Sequence, residues 1–333
     1  MVCLNETRVL AGMPEIHGSR DPDTGAGNWL KRRLMDIRLN SVVRVGVVTA
    51  LAIALYAPNV LSQTSQGQNE ERFQRSFPMN AGGSLVVENR KGTIHVMGSD
   101  TRQVIVSVTK RFVGGSDKDR ESWMNGTKVN FDSESNRLSV KVEYPTWNCT
   151  FCSSVQDGVE LTIAVPSETN VELNGDKPDM AISSINGDIR ISSEKSTIAI
   201  KSTSGAIRIG TSKGDVRLSH VAIRKELKLT SNKADAVIET ESLKGDVDLE
   251  TEKGSIVVRM PATVGVTLDY VGGRRATFHC DFPVTTNEKG TELRDVHGRI
   301  GRDGARINGM VNQGGARMTL RTDRGSISIE KGS

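Results

Sequence analysis

The sequence predicts an all-β fold, a single-stranded β-solenoid wound in coils of roughly 18–20 residues with two short strands in each. Three observations carry this. A unit of glycine, polar, aliphatic, polar, aliphatic recurs as Gly187-Asp188-Ile189-Arg190-Ile191, Gly205-Ala206-Ile207-Arg208-Ile209, Gly214-Asp215-Val216-Arg217-Leu218, Gly245-Asp246-Val247-Asp248-Leu249 and Gly254-Ser255-Ile256-Val257-Val258. The units fall in two interleaved series of the same period, Gly205, Lys225, Gly245 and Gly265 against Gly214, Ala234 and Gly254. Aromatics make up 4% of the 333 residues, and no apolar stripe of period 3.6 follows residue 80 to suggest a helical layer.

Side chains along a strand point alternately to opposite faces. Ile189, Ile207, Leu227 and Val247 are therefore expected to form one inward column, and Ile191, Ile209, Leu229 and Leu249 the next. The outward columns read Asp188, Ala206, Glu226, Asp246 and, beside them, Arg190, Arg208, Lys228, Asp248. Rungs about 4.8 Å apart make the inward rows continuous. Each fully buried aliphatic then contributes roughly 1.5–3 kcal/mol.

The elements follow in chain order. Residues 1–34 read as an upstream extension without periodicity, with Met35 as the biological start. Residues 35–62 read as a signal peptide or signal-anchor helix: Arg38 and Arg44 precede an apolar run at 45–57, and Val60-Leu61-Ser62 offers a small-residue cleavage site. Thirteen residues fall short of the roughly twenty that a membrane span needs. Yet Lys31, Arg32, Arg33, Arg38 and Arg44 all precede the run, which suits an anchor held through residues 42–61 with the repeats outside. Either way the repeats are expected in the periplasm, at the cell surface or facing outward from a membrane. Beyond residue 62, 37 Lys and Arg balance 35 Asp and Glu, without the clustered basic footprint of a nucleic-acid reader.

Residues 63–79 read as a polar linker and residues 80–333 as one solenoid domain. Rungs open at Gly83-Ser84-Leu85-Val86-Val87 and Gly92-Thr93-Ile94-His95-Val96, and alternation continues at 104–108, 137–144 and 159–165. Residues 112–123, 146–157 and 271–297 break the rhythm and read as loops. Residues 315–320 and 325–329 read as closing rungs. Open ends of such a stack are strand edges, to be capped by loops or by another copy of the chain.

Leu85-Val86-Val87-Glu88-Asn89, Gly92-Thr93-Ile94-His95-Val96, Val104-Ile105-Val106 and the step Leu161-Thr162-Ile163-Ala164-Val165-Pro166, followed by serial Gly-Asp-Ile/Val rungs, resemble the bacterial "putative adhesin" domain. The resemblance spans residues 80–330. It implies a β-solenoid in an exported or membrane-attached envelope protein, and it carries no catalytic residues over. The 146–157 and 271–297 segments depart from the family pattern.

Cys149-Thr150-Phe151-Cys152 is the sharpest local feature. Export favours a disulfide within the trio Cys149, Cys152 and Cys280. Zinc with His279 and a redox pair are the alternatives, weakened by the lack of a second CxxC and of a βαβ context. Gly210-Thr211-Ser212-Lys213-Gly214 matches the hydrolase nucleophile elbow, but it feeds a rung instead of a helix and reads as a turn. Asp269, Tyr270, Arg274, Arg275, His279 and Asp281 form the one candidate surface site that could serve hydrolysis. No catalytic, cofactor-binding or metal residue is expected. The expected role is a non-catalytic binding, adhesion or scaffold module of the envelope. A polysaccharide lyase or glycosidase on the same scaffold, and a membrane-anchored stress or signalling module, are the alternatives. Expected partners are an envelope protein or a polysaccharide and not nucleic acid, with oligomerisation through the solenoid ends.

Overall fold

The computed structural model describes residues 65–67, 69–146, 155–286, 292–293, 296–299 and 305–332. All of them belong to the compact unit Leu61–Ser333. The expected signal or anchor at 35–62 and the pair Cys149 and Cys152 lie outside the described residues. The described chain is all-β apart from one helix, and its strands join in a single mixed, solenoid-like sheet.

Parallel pairing follows the expected stack through the middle of the chain. Ile189 stands opposite Val171 on one side and Ile207 on the other, and Leu227 opposite Val247. Ile189, Ile207, Leu227 and Val247 are all at most 2% exposed. Ile191, Ile209, Leu229 and Leu249 form the adjoining buried column. Cross-coil side-chain hydrogen bonds join residues 18 apart in Ser193–Thr211 and 20 apart in Ser231–Thr251. Between Ile198 and Leu243 the strands follow one another with only tight corners between them, where Ser202, Gly205, Gly214 and His220 take positive φ.

Chain order and stacking order part company at both ends, which corrects the strictly sequential winding. Ser84–Glu88 lies between Arg137–Glu143 and Asn170–Gly175, while Lys91–Ser99 lies between Gln156–Pro166 and Lys177–Ser183. At the other end Ala316–Thr322 inserts between Asp246–Thr251 and Val266–Gly272, and Ser326–Lys331 between Ser255–Met260 and Thr277–Cys280. The expected closing rungs are thus interior. Antiparallel strands cover the ends instead: Gln103–Val113 lies on Gln156–Pro166, Lys128–Glu134 on Arg137–Glu143, and Ala305–Val311 on Val266–Gly272. An exposed parallel edge would leave a row of N–H and C=O groups unpaired, and these reversals pair them.

Three further expectations are corrected. The polar linker contains the strand Glu70–Pro78, paired antiparallel with Gln103–Val113. Within the first expected loop the helix Asp117–Gly126 forms, because Ser116 and Asp119 make a reciprocal capping box and Trp123 buries itself 5.6 Å from the Phe112 ring centre. Ala206, expected on the outward face, is buried. The Lys225 ammonium reaches Asp188 at 2.8 Å, spanning the coil that carries this small residue.

Two coils turn a corner on a threonine hydroxyl. Thr251 Oγ1 accepts from the Gly254 N–H at 3.0 Å, and Thr322 Oγ1 from the Gly325 N–H at 2.9 Å. Ser193 and Ser231 donate to the hydroxyls of Thr211 and Thr251 in the next coil. At the same corner Gly214 has φ +115, and a Cβ there would stand 2.0 Å from the Ser196 carbonyl oxygen.

Candidate functional site

The pleat that buries the aliphatics sends charged residues outward, and these join coil to coil. Arg208 pairs with Glu226, Lys225 with Asp188, and Asp248 takes both Lys228 at 3.4 Å and Arg321 at 3.1 Å. In the companion row Arg259 spans Glu239 and Glu330, each at 3.0 Å. These partners are part-exposed, so each pair stabilises the fold by about 0–1 kcal/mol. Burial is the largest single influence on Asp188 and acts to raise its pKa. The Lys225 and Ala206 hydrogen bonds and the Lys225 and Arg208 charges outweigh it, leaving the carboxyl below its ordinary range. The face is therefore a rigid, charge-patterned array.

A cavity of about 420 Å³ opens where the helix-bearing end meets the stack, lined by Arg90, Lys91, Tyr144, Pro145, Asp176 and Lys177. Tyr144 fixes its wall. Its hydroxyl lies 2.6 Å from Asn89 Oδ1 and 2.7 Å from the Lys91 carbonyl oxygen. The buried Asn89 in turn donates to the Val159 carbonyl at 2.9 Å. Burial pushes the Tyr144 phenol well above its ordinary pKa. Lys91 pairs with Asp157 and sits 5.1 Å from the Tyr144 ring centre, and Arg90 pairs with Asp176 at 3.1 Å. Such a site can hold an anion by charge.

The six residues singled out by sequence do not converge. Asp269 faces outward, 3.8 Å from Arg306. Its neighbour Tyr270, expected at the surface, is fully buried because the pleat turns it inward, 4.4 Å from the Phe278 ring centre. The Tyr270 hydroxyl has no hydrogen-bond partner, and burial pushes its pKa up to about 12. Arg274 and Arg275 are exposed in the following turn. Only His279 and Asp281 meet, Nε2 to Oδ1 at 2.7 Å, while the Asp281 carboxylate also accepts the Lys331 N–H. Cys280 is a buried free thiol whose pKa burial raises to about 11. Among the described residues no group of three or more His, Cys, Asp or Glu comes together as a metal site, and no helix is long and apolar enough to cross a membrane.

Sequence reasoning missed the Asn89–Tyr144 pair, which joins positions 55 apart. It also read Thr211-Ser212-Lys213-Gly214 only as a turn. The repeated hydroxyl three residues before glycine was the available signal for the corner ladder.

A family model described as Toastrack DUF4097 matches residues 83–269. No curated protein matches the chain. Among solved structures, a "putative cell adhesion protein" from Clostridium sporogenes is 11% identical, covering 78% of this chain and 99% of its own, with a TM-score of 0.34. A "putative adhesin" from Bacteroides fragilis is 8% identical, covering 78% and 96%, with a TM-score of 0.31. A "putative lipid binding protein" from Parabacteroides distasonis is 11% identical, covering 79% and 97%, with a TM-score of 0.22.

Proposed function

Because the chain belongs to the Toastrack DUF4097 family, we propose that it is a non-catalytic, exported module of the cell envelope that binds or scaffolds through the outer surface of its repeats. The carrying observation is the outward array itself: charged side chains recur coil after coil on a stack whose inward columns are dry aliphatics. A packed ladder holds those side chains at fixed intervals, and preorganised spacing lowers the entropic cost of binding an extended partner. The segment 35–62 supplies the export signal or anchor in this reading. Adhesin and lipid-binding descriptions of the structural relatives accord with a binding role. A glycosidase or lyase would need paired carboxylates or bases facing one groove, and the residues assembled for that role divide between the core, the exposed turn at Arg274 and Arg275, and two further outward positions.

The test uses the full chain incubated with the envelope fraction of its own cells. Co-sedimentation without release of new reducing ends is the expected result. Release of reducing ends would replace the binding reading with the enzymatic one. Failure to sediment would remove the binding reading altogether. Membrane fractionation with N-terminal sequencing separates a cleaved signal from an anchor that would favour a signalling module.

A further inference from the structure

One corner of the stack carries a single-sign column of cations that is invisible in the linear sequence. Lys177 stands opposite Lys91, and Lys195 opposite Lys213. The Lys195 N–H bonds to the Asp176 carbonyl, which sets Lys195 beside Lys177. Lys233 follows Lys213 by the 20-residue period of the sequence, and the pairing of Ser231 with Thr251 sets it one coil before Lys253. The Lys253 N–H bonds to the Asn232 carbonyl and the Arg324 N–H to the Glu252 carbonyl, which continues the column to Lys253 and Arg324. Seven successive coils thus present a basic residue at one position, and apart from Lys91 all are exposed.

Like charges facing each other across a rung oppose folding. On the outward faces Arg208, Lys225 and Arg321 are each offset by an acid in another coil. Here Lys177, Lys195, Lys213 and Lys233 make no ion pair among the described residues, while Lys91, Lys253 and Arg324 at the two ends do. The middle of the column therefore carries four cations held in no ion pair, with steps of about 4.8 Å set by the sheet.

We propose that this corner binds a linear acidic polysaccharide, laid along the stack with its carboxylates on the lysine column. The inference rests on the envelope-binding reading and names its ligand. The adjoining row, one residue earlier, opens with Arg90 and continues with Asp176, Glu194, Ser212, Asn232, Glu252 and Asp323; from Asp176 onward its side chains offer acceptor oxygens. These accept hydrogen bonds, which suits a polymer that carries hydroxyl donors beside its charges. A nucleic acid fits poorly: single strands want stacking aromatics, and duplex phosphates rise about 3.4 Å per strand step, out of step with rungs about 4.8 Å apart. The column holds no aromatic residue. An anionic membrane fits poorly too, because the exposed large hydrophobics Met97, Val113, Val271 and Met310 lie off this corner. The cavity beside Tyr144, whose lining includes Lys91 and Lys177, receives one end of the chain.

The test measures binding of the full chain to polygalacturonate, with neutral dextran, single-stranded DNA and phosphatidylglycerol vesicles as comparison probes. The variant Lys177→Gln/Lys195→Gln/Lys213→Gln/Lys233→Gln is set against Lys118→Gln/Lys128→Gln/Lys201→Gln/Lys244→Gln, which removes equal charge from exposed positions elsewhere. Expected are binding to polygalacturonate that weakens with salt, loss of about tenfold or more affinity with a shallower salt slope in the corner variant, and a much smaller loss in the control. Equal losses in both variants would overturn the corner assignment, as would tighter binding to DNA or vesicles than to polygalacturonate. If the corner variant still sediments with the envelope fraction like the parent, the ligand assignment falls and the envelope-binding reading stands. If neither the envelope nor polygalacturonate is bound by the parent, both fall. Unchanged thermal unfolding of the corner variant confirms that lost binding reflects lost charge.

Discussion

The Tyr144 hydroxyl lies 2.6 Å from Asn89 Oδ1 and so pins the segment after the helix-bearing insertion to the corner of an inserted coil. Tyr144→Phe removes this bond and leaves the Asn89 oxygen buried without its partner. Urea unfolding should show a loss of about 1–3 kcal/mol. An unchanged midpoint would mean that water already serves Asn89.

Two glycines four residues apart make opposite demands. Gly214 sits at φ +115 with the Ser196 carbonyl where a Cβ would go, whereas Gly210 has nothing nearer than 4.0 Å. Gly214→Ala should cost about 2 kcal/mol or more, and Gly210→Ala should be neutral or slightly stabilising. Equal midpoints for the two variants would contradict the corner geometry.

The buried Tyr270 hydroxyl is unpartnered, so Tyr270→Phe should stabilise the fold at neutral pH or leave it unchanged. Alkaline behaviour follows from the same burial. The Cys280 thiol is raised from 9.0 to about 11 and the Tyr270 phenol from 10.0 to about 12. Both groups are raised, so their contribution is complete below the unfolded pKa and is lost as pH climbs toward the folded one. Stability should fall from about pH 9, with Cys280→Ala flattening the first part of the decline and Tyr270→Phe the later part. Chemical denaturation at stepped pH reads both, and identical slopes in parent and variants would refute the assignment.

The middle of the fold was legible because its information is local: Ile189, Ile191, Ile207 and Ile209 declare alternation and period within a few residues. The ends were not, because Ser84–Glu88 and Ala316–Thr322 carry the same pattern as any rung, and their place between strands distant in sequence depends on which edges remain free. The helix Asp117–Gly126 escaped notice with Trp123 as its single buried anchor, although Ser116 and Asp119 carried the capping signal. Ala206 was misplaced because a small residue on an outward position can be covered by the longer side chains of neighbouring coils. The charged corner became visible only once Lys177, Lys195, Lys213 and Lys233 were set in register.

Everything functional here depends on consecutive coils holding aliphatics inward and charges outward in register. Ile207 and Arg208 are adjacent in sequence and face opposite ways. The most direct measurement is therefore paired urea unfolding of Ile207→Asp and Arg208→Asp. Burying an unpaired carboxylate should cost Ile207→Asp more than about 4 kcal/mol or abolish folding, while Arg208→Asp should stay within about 1 kcal/mol of the parent. Equal losses in the two variants would contradict the stacked, inside-out register on which the binding surface rests.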